Sequence, residues 1–182
     1  DAVRYLDIIE ERVDVLRQLT EELFGYSAAV SAVGEDGQDR HEEISEISLN
    51  AALEEILSVY YAALKKRRIT PSVTMPEATV TRRLNKSLLF RIFGNIISNA
   101  LKYSDGDLEI TLSEQGEIVF ANHAASLDEL QVMRLFDRYY TVENAVGATG
   151  LGLSIARELT GQMGGTITAQ YRDKMLRISL TF

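Results

Sequence analysis

Asn95-Ile96-Ile97-Ser98-Asn99-Ala100-Leu101-Lys102-Tyr103-Ser104 is the stretch on which the reading of the whole chain turns. It ends a helix predicted from Asn85 to Tyr103, whose core face is Leu89, Phe93, Ile97 and Ala100. Asn95, Asn99 and Lys102 fall at i, i+4 and i+7 and therefore share one side of that helix. Two carboxamides and an ammonium in one stripe suit either a solvated face or a polar site, because a buried amide needs hydrogen-bond partners.

Downstream, Leu108-Glu109-Ile110-Thr111-Leu112 and Glu117-Ile118-Val119-Phe120 read as a hairpin across Glu114-Gln115-Gly116. A helix is predicted over 127–140, then a Gly-bearing loop, then a helix over 151–163 stopped by Gly164-Gly165. A last hairpin pairs 166–171 with 175–182. Upstream, Ile44, Ile47 and Leu49 mark an edge strand over 43–49, and Asn50 is placed as N-cap of a helix over 51–66. That helix buries Leu53, Ile56, Leu57, Tyr60 and Leu64 and ends in Lys65-Lys66-Arg67-Arg68, where cations suit the C-terminal end of the macrodipole. A short strand holds Val73 and Met75 between Pro71 and Pro76. Hairpins alternating with helices that cover one face predict an α+β fold, a two-layer α/β sandwich.

Before this domain, Ile9, Val13, Leu16, Thr20 and Leu23 follow a 4-3-4-3 spacing within residues 5–24, with Leu6 and Leu19 widening the stripe. Such a helix can pack on the following domain or form a dimer seam. The organisation predicted is a coiled-coil-like helix over 1–33, an acidic linker over 34–41 containing Gly34-Glu35-Asp36-Gly37, and one domain over 42–182. Opening on Asp1 within a helical pattern suits a piece of a longer protein. A hydrophobic share of 46% allows one sizeable core, and the formal charge of −8 argues against a general polyanion binder, so no nucleic-acid partner is expected. The absence of cysteine removes disulfides and thiolate chemistry. No apolar run reaches the roughly 18 residues of a membrane span, and no membrane contact is expected of these residues.

Gly147-Ala148-Thr149-Gly150-Leu151-Gly152-Leu153-Ser154 puts glycines where a helix begins, so backbone amides and the positive dipole end can meet a phosphate closely. It is neither a Walker loop nor a dinucleotide fingerprint. Taken together and in order, four segments resemble sensor histidine kinases of two-component systems. The stretch 95–104 resembles their N box, Leu135-Phe136-Asp137-Arg138-Tyr139-Tyr140 their F box, Gly150 to Ala156 their G2 box, and Gln162-Met163-Gly164-Gly165 the ending after it. Tyr5 to Arg12 and Leu19 to Leu23 resemble the second dimerisation helix, which favours a dimer seam.

The resemblance implies a Bergerat ATP-binding fold with ATP and Mg2+ as ligands. It makes Asn99 the protein ligand of the magnesium ion, Asn95 its support, Lys102 a cation for phosphate and Tyr103 a neighbour of the adenine. Thr149, Gly150, Leu151, Gly152 and Leu153 would surround the phosphates, residues 141–149 would form a lid, and Leu127 would contact the nucleotide. Arg138 joins Asn95, Asn99 and Lys102 among the catalytic residues. Asn122, in Asn122-His123-Ala124-Ala125-Ser126, stands where the family carries an aspartate that accepts from the adenine amino group, so its acceptance would lack charge assistance. The lid segment Val142-Glu143-Asn144-Ala145-Val146 lacks a basic residue found in many relatives.

Hydrolytic members of the wider superfamily place a glutamate base where Asn95 stands; an amide takes no proton at neutral pH, which favours transfer to a histidine over hydrolysis. Of the two histidines, neither His41 nor His123 sits in the expected acceptor helix, so the acceptor is expected on a helix before Asp1. The implied setting is the cytoplasmic portion of a membrane-anchored sensor, homodimeric through the N-terminal helix and partnered by a response regulator receiver domain. A non-catalytic ATP-binding module and an anti-sigma-factor-like serine kinase are the alternatives.

Overall fold

The computed structural model describes residues 44–142 and 149–182. The helix expected over 1–33, the linker over 34–41 with His41, and the middle of the expected lid lie outside the described residues.

Strand β1 (Ile44–Ser48) leads directly into helix α1 (Leu49–Lys66). The helix starts two residues before the prediction because Ser48 is its N-cap, its hydroxyl accepting from the Ala51 amide at 3.2 Å. Asn50 serves another purpose: its Nδ2 donates to the Pro76 carbonyl at 3.1 Å and its Oδ1 accepts from the Val80 amide at 2.9 Å, which pins the 76–80 loop. Strand β2 (Thr70–Thr74) is followed by β3 (Thr81–Asn85), which pairs antiparallel with β1 in a separate two-stranded sheet. The predicted edge strand thus belongs to a small sheet of its own, and β3 is an element that the sequence reading did not contain. Arg82 anchors β3 from a distance, its Nε donating to the Phe182 carbonyl at 3.0 Å and a terminal nitrogen to the Gln115 carbonyl.

Helix α2 (Lys86–Tyr103) begins at Asn85, whose Oδ1 accepts from the Leu88 amide at 2.9 Å. Strands β4 (Asp107–Leu112) and β5 (Ile118–His123) form the first hairpin. Helix α3 is far shorter than the predicted 127–140, covering only Glu129–Met133 behind a capping box of Asp128 and Gln131. From Arg134 the chain runs in turns, and Tyr139 adopts a left-handed φ of 62°, which a continuing α-helix excludes. Helix α4 (Gly152–Gln162) and the hairpin of β6 (Thr166–Arg172) and β7 (Met175–Thr181) complete the chain.

The larger sheet has the order β2-β4-β5-β7-β6, with β2 parallel to β4 and the other pairs antiparallel. Alternation puts Leu108, Ile110, Leu112, Ile118, Phe120, Leu176, Ile178 and Leu180 on its covered face, while Glu109, Thr111 and Arg177 point away. Leu89, Phe93, Ile96, Ile97 and Ala100 of α2 bury into the same core, and the Phe93 and Phe120 rings meet with centroids 5.7 Å apart at 54°. Truncating such a buried phenylalanine to alanine typically costs about 3–5 kcal/mol. Helix α4 packs beside α2. The architecture is the expected α+β arrangement, with its mixed sheet covered by helices on one face.

Candidate functional site

Because Leu89, Phe93, Ile97 and Ala100 are drawn into the core, the Asn95, Asn99, Lys102 side of α2 turns toward α4 and the chain leading into it. Those residues line a cleft together with Ser98, Tyr103, Leu135, Tyr140, Val142, Thr149, Gly150, Gly152 and Leu153. One wall is therefore helix α2 and the other the N-terminal end of α4.

That end of α4 is open. Its N-cap, Leu151, has an apolar side chain that makes no capping bond to the first-turn amides. The Leu151 amide itself is turned back to the Thr149 hydroxyl at 3.3 Å. Gly150 has φ +70°, and a Cβ there would fall 2.5 Å from the Tyr139 carbonyl carbon and 2.7 Å from the Tyr140 amide nitrogen. Only glycine meets both the sign of that angle and the closeness of the neighbouring backbone. A Cβ on Gly152 would lie 3.7 Å from Asn95 Oδ1, so the two walls are in near contact at this level.

Asn95 carries the sharpest signal within the cleft. Its Nδ2 is buried and has no hydrogen-bond partner among the described residues. An orphaned buried donor costs roughly 1–3 kcal/mol, which a polar ligand or an ordered water would relieve. Tyr103 is held above the usual phenol range, first by burial and then by the neighbouring Tyr140. The cleft thus offers amides, hydroxyls and the Lys102 ammonium at an uncapped helix N-terminus, a combination suited to an anionic, oxygen-rich ligand.

Of the residues expected from sequence, Asn95, Asn99, Lys102, Tyr103, Thr149, Gly150, Gly152 and Leu153 come together on this cleft. Leu151 and Leu127 are buried in the core, and neither lines it. Asn122, 5% exposed, sits at the end of β5 and donates Nδ2 to the His123 carbonyl at 3.0 Å. Arg138 lies outside the cleft, paired with Glu158 of α4 at 3.1 Å. Ser98, Leu135 and Tyr140 line the cleft without having been named as site residues, and Val142, from the expected lid, lines it with them. Ser98 was detectable, since it is one helical step from Asn95 at i+3, and Leu135 and Tyr140 already stood within the F-box-like segment.

Beside the far end of α2, His123 Nδ1 meets Asp107 Oδ2 at 2.8 Å, and the His123 amide donates to Asp107 Oδ1 at 2.9 Å. Ser104 Oγ accepts from the Asp107 amide at 2.9 Å and contacts its carboxylate at 3.2 Å. Burial works against the Asp107 charge, but the bonds from His123 and Ser104 outweigh it and hold the carboxyl below its ordinary range.

A family profile described as Histidine kinase-, DNA gyrase B-, and HSP90-like ATPase matches residues 85–182. The sensor histidine kinase YcbM of Bacillus subtilis is 28% identical over 171 residues, which is 88% of this chain and 55% of YcbM. The sensor protein VanSC of Enterococcus gallinarum is 28% identical over 136 residues, 70% of this chain and 37% of VanSC. Among solved structures, the Acinetobacter baumannii histidine kinase AdeS superposes with a TM-score of 0.72 at 19% identity, covering 99% of this chain and 83% of that one. The chain thus spans about half or less of the length of these two sequence relatives.

Proposed function

The chain belongs to the family of histidine kinase-, DNA gyrase B- and HSP90-like ATPases, and on that premise we propose that these residues are the ATP-binding catalytic part of a sensor histidine kinase. The observation that carries this reading is the orphaned Asn95 amide, set beside Asn99 and Lys102 and facing the uncapped start of α4 across one cleft. The phosphates of ATP lie against the α4 amides near Gly150 and Gly152, with Lys102 as counter-charge. Tyr103, on the cleft wall, belongs to the base end of the ligand; Asn122 and Leu127, which do not line the cleft, are assigned to that end by the resemblance alone.

The donor set also fits magnesium. No group of three or more His, Cys, Asp or Glu residues that could hold a metal exists among the described residues, and Asn99 offers a carboxamide oxygen. Magnesium keeps most of its waters and takes few protein oxygens beside phosphate, so one such ligand suffices. When bound it supplies charge neutralisation for the transferring phosphoryl group.

Asn95 occupies the position from which a base would activate water, and its amide accepts no proton at neutral pH. A neutral imidazole needs no such base. Its nitrogen attacks the γ-phosphorus, the bond from that phosphorus to the bridging oxygen breaks, and ADP leaves. The acceptor histidine is carried by a dimerisation helix outside these residues, in a homodimer held by the N-terminal helix. A response regulator receiver domain then takes the phosphoryl group. No helix among the described residues is long and apolar enough to cross a membrane, and the place proposed for them is the cytoplasmic portion of a membrane-anchored sensor.

The test is to incubate the chain with magnesium ATP and a helical fragment bearing a His-Glu or His-Asp acceptor. Acid-labile phosphate on the fragment is the expected result. Nucleotide binding without transfer overturns the kinase assignment.

A further inference from the structure

We propose that Arg134, which does not itself line the cleft, is a positioning residue that shapes it by holding the Tyr140 ring in the cleft wall; this rests on the nucleotide-binding reading above. Four contacts converge on the same turn. The Asp137 amide donates to the Arg134 carbonyl at 2.9 Å, and the Tyr140 amide donates to the Asp137 carbonyl at 3.3 Å. The Arg134 side chain then spans that turn, with Nε donating to Asp137 Oδ2 at 3.4 Å and the guanidinium carbon 4.3 Å from the Tyr140 ring centroid.

The backbone alone does not fix that ring. Tyr139, just before it, stands at φ 62° and is tied to the Gly150 carbonyl by one bond of 2.9 Å, which sets where the Tyr140 Cα lies but not its rotamer. Tyr140 borders the cleft on one side, where it stands near Tyr103, and carries the Arg134 cation on its ring. A guanidinium over a phenol face is attracted by the ring quadrupole and restricts the ring to the orientation that keeps the contact. A wall ordered before the ligand arrives leaves less side-chain entropy to lose on binding. The Asp137 carboxylate, held by the same guanidinium, keeps Arg134 directed along the turn rather than out into solvent.

Arg134 is 62% exposed in its side chain, so replacing it leaves the core untouched. The experiment measures ATP affinity by calorimetry for the full chain and for Arg134→Ala, Arg134→Lys, Tyr140→Leu and the double variant Arg134→Ala/Tyr140→Leu. Arg134→Ala is expected to weaken ATP binding about two- to fivefold, the scale of an exposed cation–π contact. Arg134→Lys, which keeps a cation for the ring, recovers most of that loss. In the Tyr140→Leu background Arg134→Ala has no further effect, because the residue acts through the ring. Unchanged affinity in Arg134→Ala, or an equal loss in both backgrounds, overturns the proposal. A parent chain that binds no ATP overturns the function itself, and this inference with it.

Discussion

The Tyr139 amide donates to the Gly150 carbonyl at 2.9 Å, so the two chain segments that flank residues 143–148 are joined at their bases. The same contact leaves no room for a side chain on Gly150, whose Cβ would fall within 2.5–2.7 Å of the Tyr139 and Tyr140 backbone. Gly150→Ala therefore adds a clash with backbone to the cost of a left-handed φ of +70°. The expected result is a loss of about 1–3 kcal/mol in urea unfolding together with weaker ATP binding, since Gly150 is also part of the cleft. Wild-type stability in that variant would mean that the two segments separate freely.

Asn99→Ala removes a partly exposed amide from the cleft without opening a cavity in the core. Its unfolding midpoint should stay within the range of ordinary surface substitutions, about 0.5 kcal/mol. Magnesium-dependent ATP binding should be lost, whereas the weaker metal-free binding through Lys102 and the α4 amides should persist. Calorimetry with and without magnesium separates the two, and an unaltered magnesium dependence counts against Asn99 as the ligand.

How much of this was legible in the sequence depended on whether an element was specified locally. Helix α2 was legible because its apolar positions repeat at helical spacing and Asn85 caps it, and the hairpins because their apolar residues alternate across Gly-containing turns or a charged pair. Strand β3 was not, because Thr81-Arg82-Arg83-Leu84-Asn85 carries no clear alternation and owes its extension to β1 and to the distant partners of Arg82. The predicted helix over 127–140 failed at Arg134, where the apolar spacing of Leu135 and Phe136 continues a helical pattern that the turns over 134–140 interrupt. Likewise, Asn50 has the chemistry of a cap, and only the folded loop shows that Val80 and Pro76 claim it. In the cleft, Asn95, Asn99 and Lys102 were legible from their shared helix face, whereas Val142 has no local pattern that marks it and was expected near the site only through the resemblance, as part of the lid over 141–149.

Asn122→Asp tests the end of β5. The resemblance places a carboxylate there, yet this chain uses the Asn122 amide hydrogen on the His123 carbonyl. An aspartate would lose that donor and set a negative oxygen near a carbonyl oxygen at a site 5% exposed. The expected cost is about 1–3 kcal/mol in urea unfolding at neutral pH without ligand. Equal or greater stability would show that the amide bond to His123 contributes nothing.

Asp107 gives a pH dependence whose sign follows from its direction of shift. Its carboxyl lies below the ordinary range because, against burial, His123 and Ser104 favour the charged form. In the unfolded chain the same group titrates near its usual value of about 3.9, so the folded state binds protons less readily. The stabilisation is therefore fully present above about pH 4 to 5 and is lost as pH falls through the depressed folded value. The side chain is 34% exposed, and solvent screening keeps the effect small, on the order of 1–3 °C in melting temperature. Asp107→Asn should melt lower than the parent at pH 6, and the gap should shrink as both are acidified toward pH 3, because protonation removes from the parent the charge that the variant already lacks. The carboxylates common to both proteins lower the two curves together and cancel in the difference. Parallel curves from pH 6 to pH 3 would show that the contacts of Asp107 with His123 do not depend on its charge.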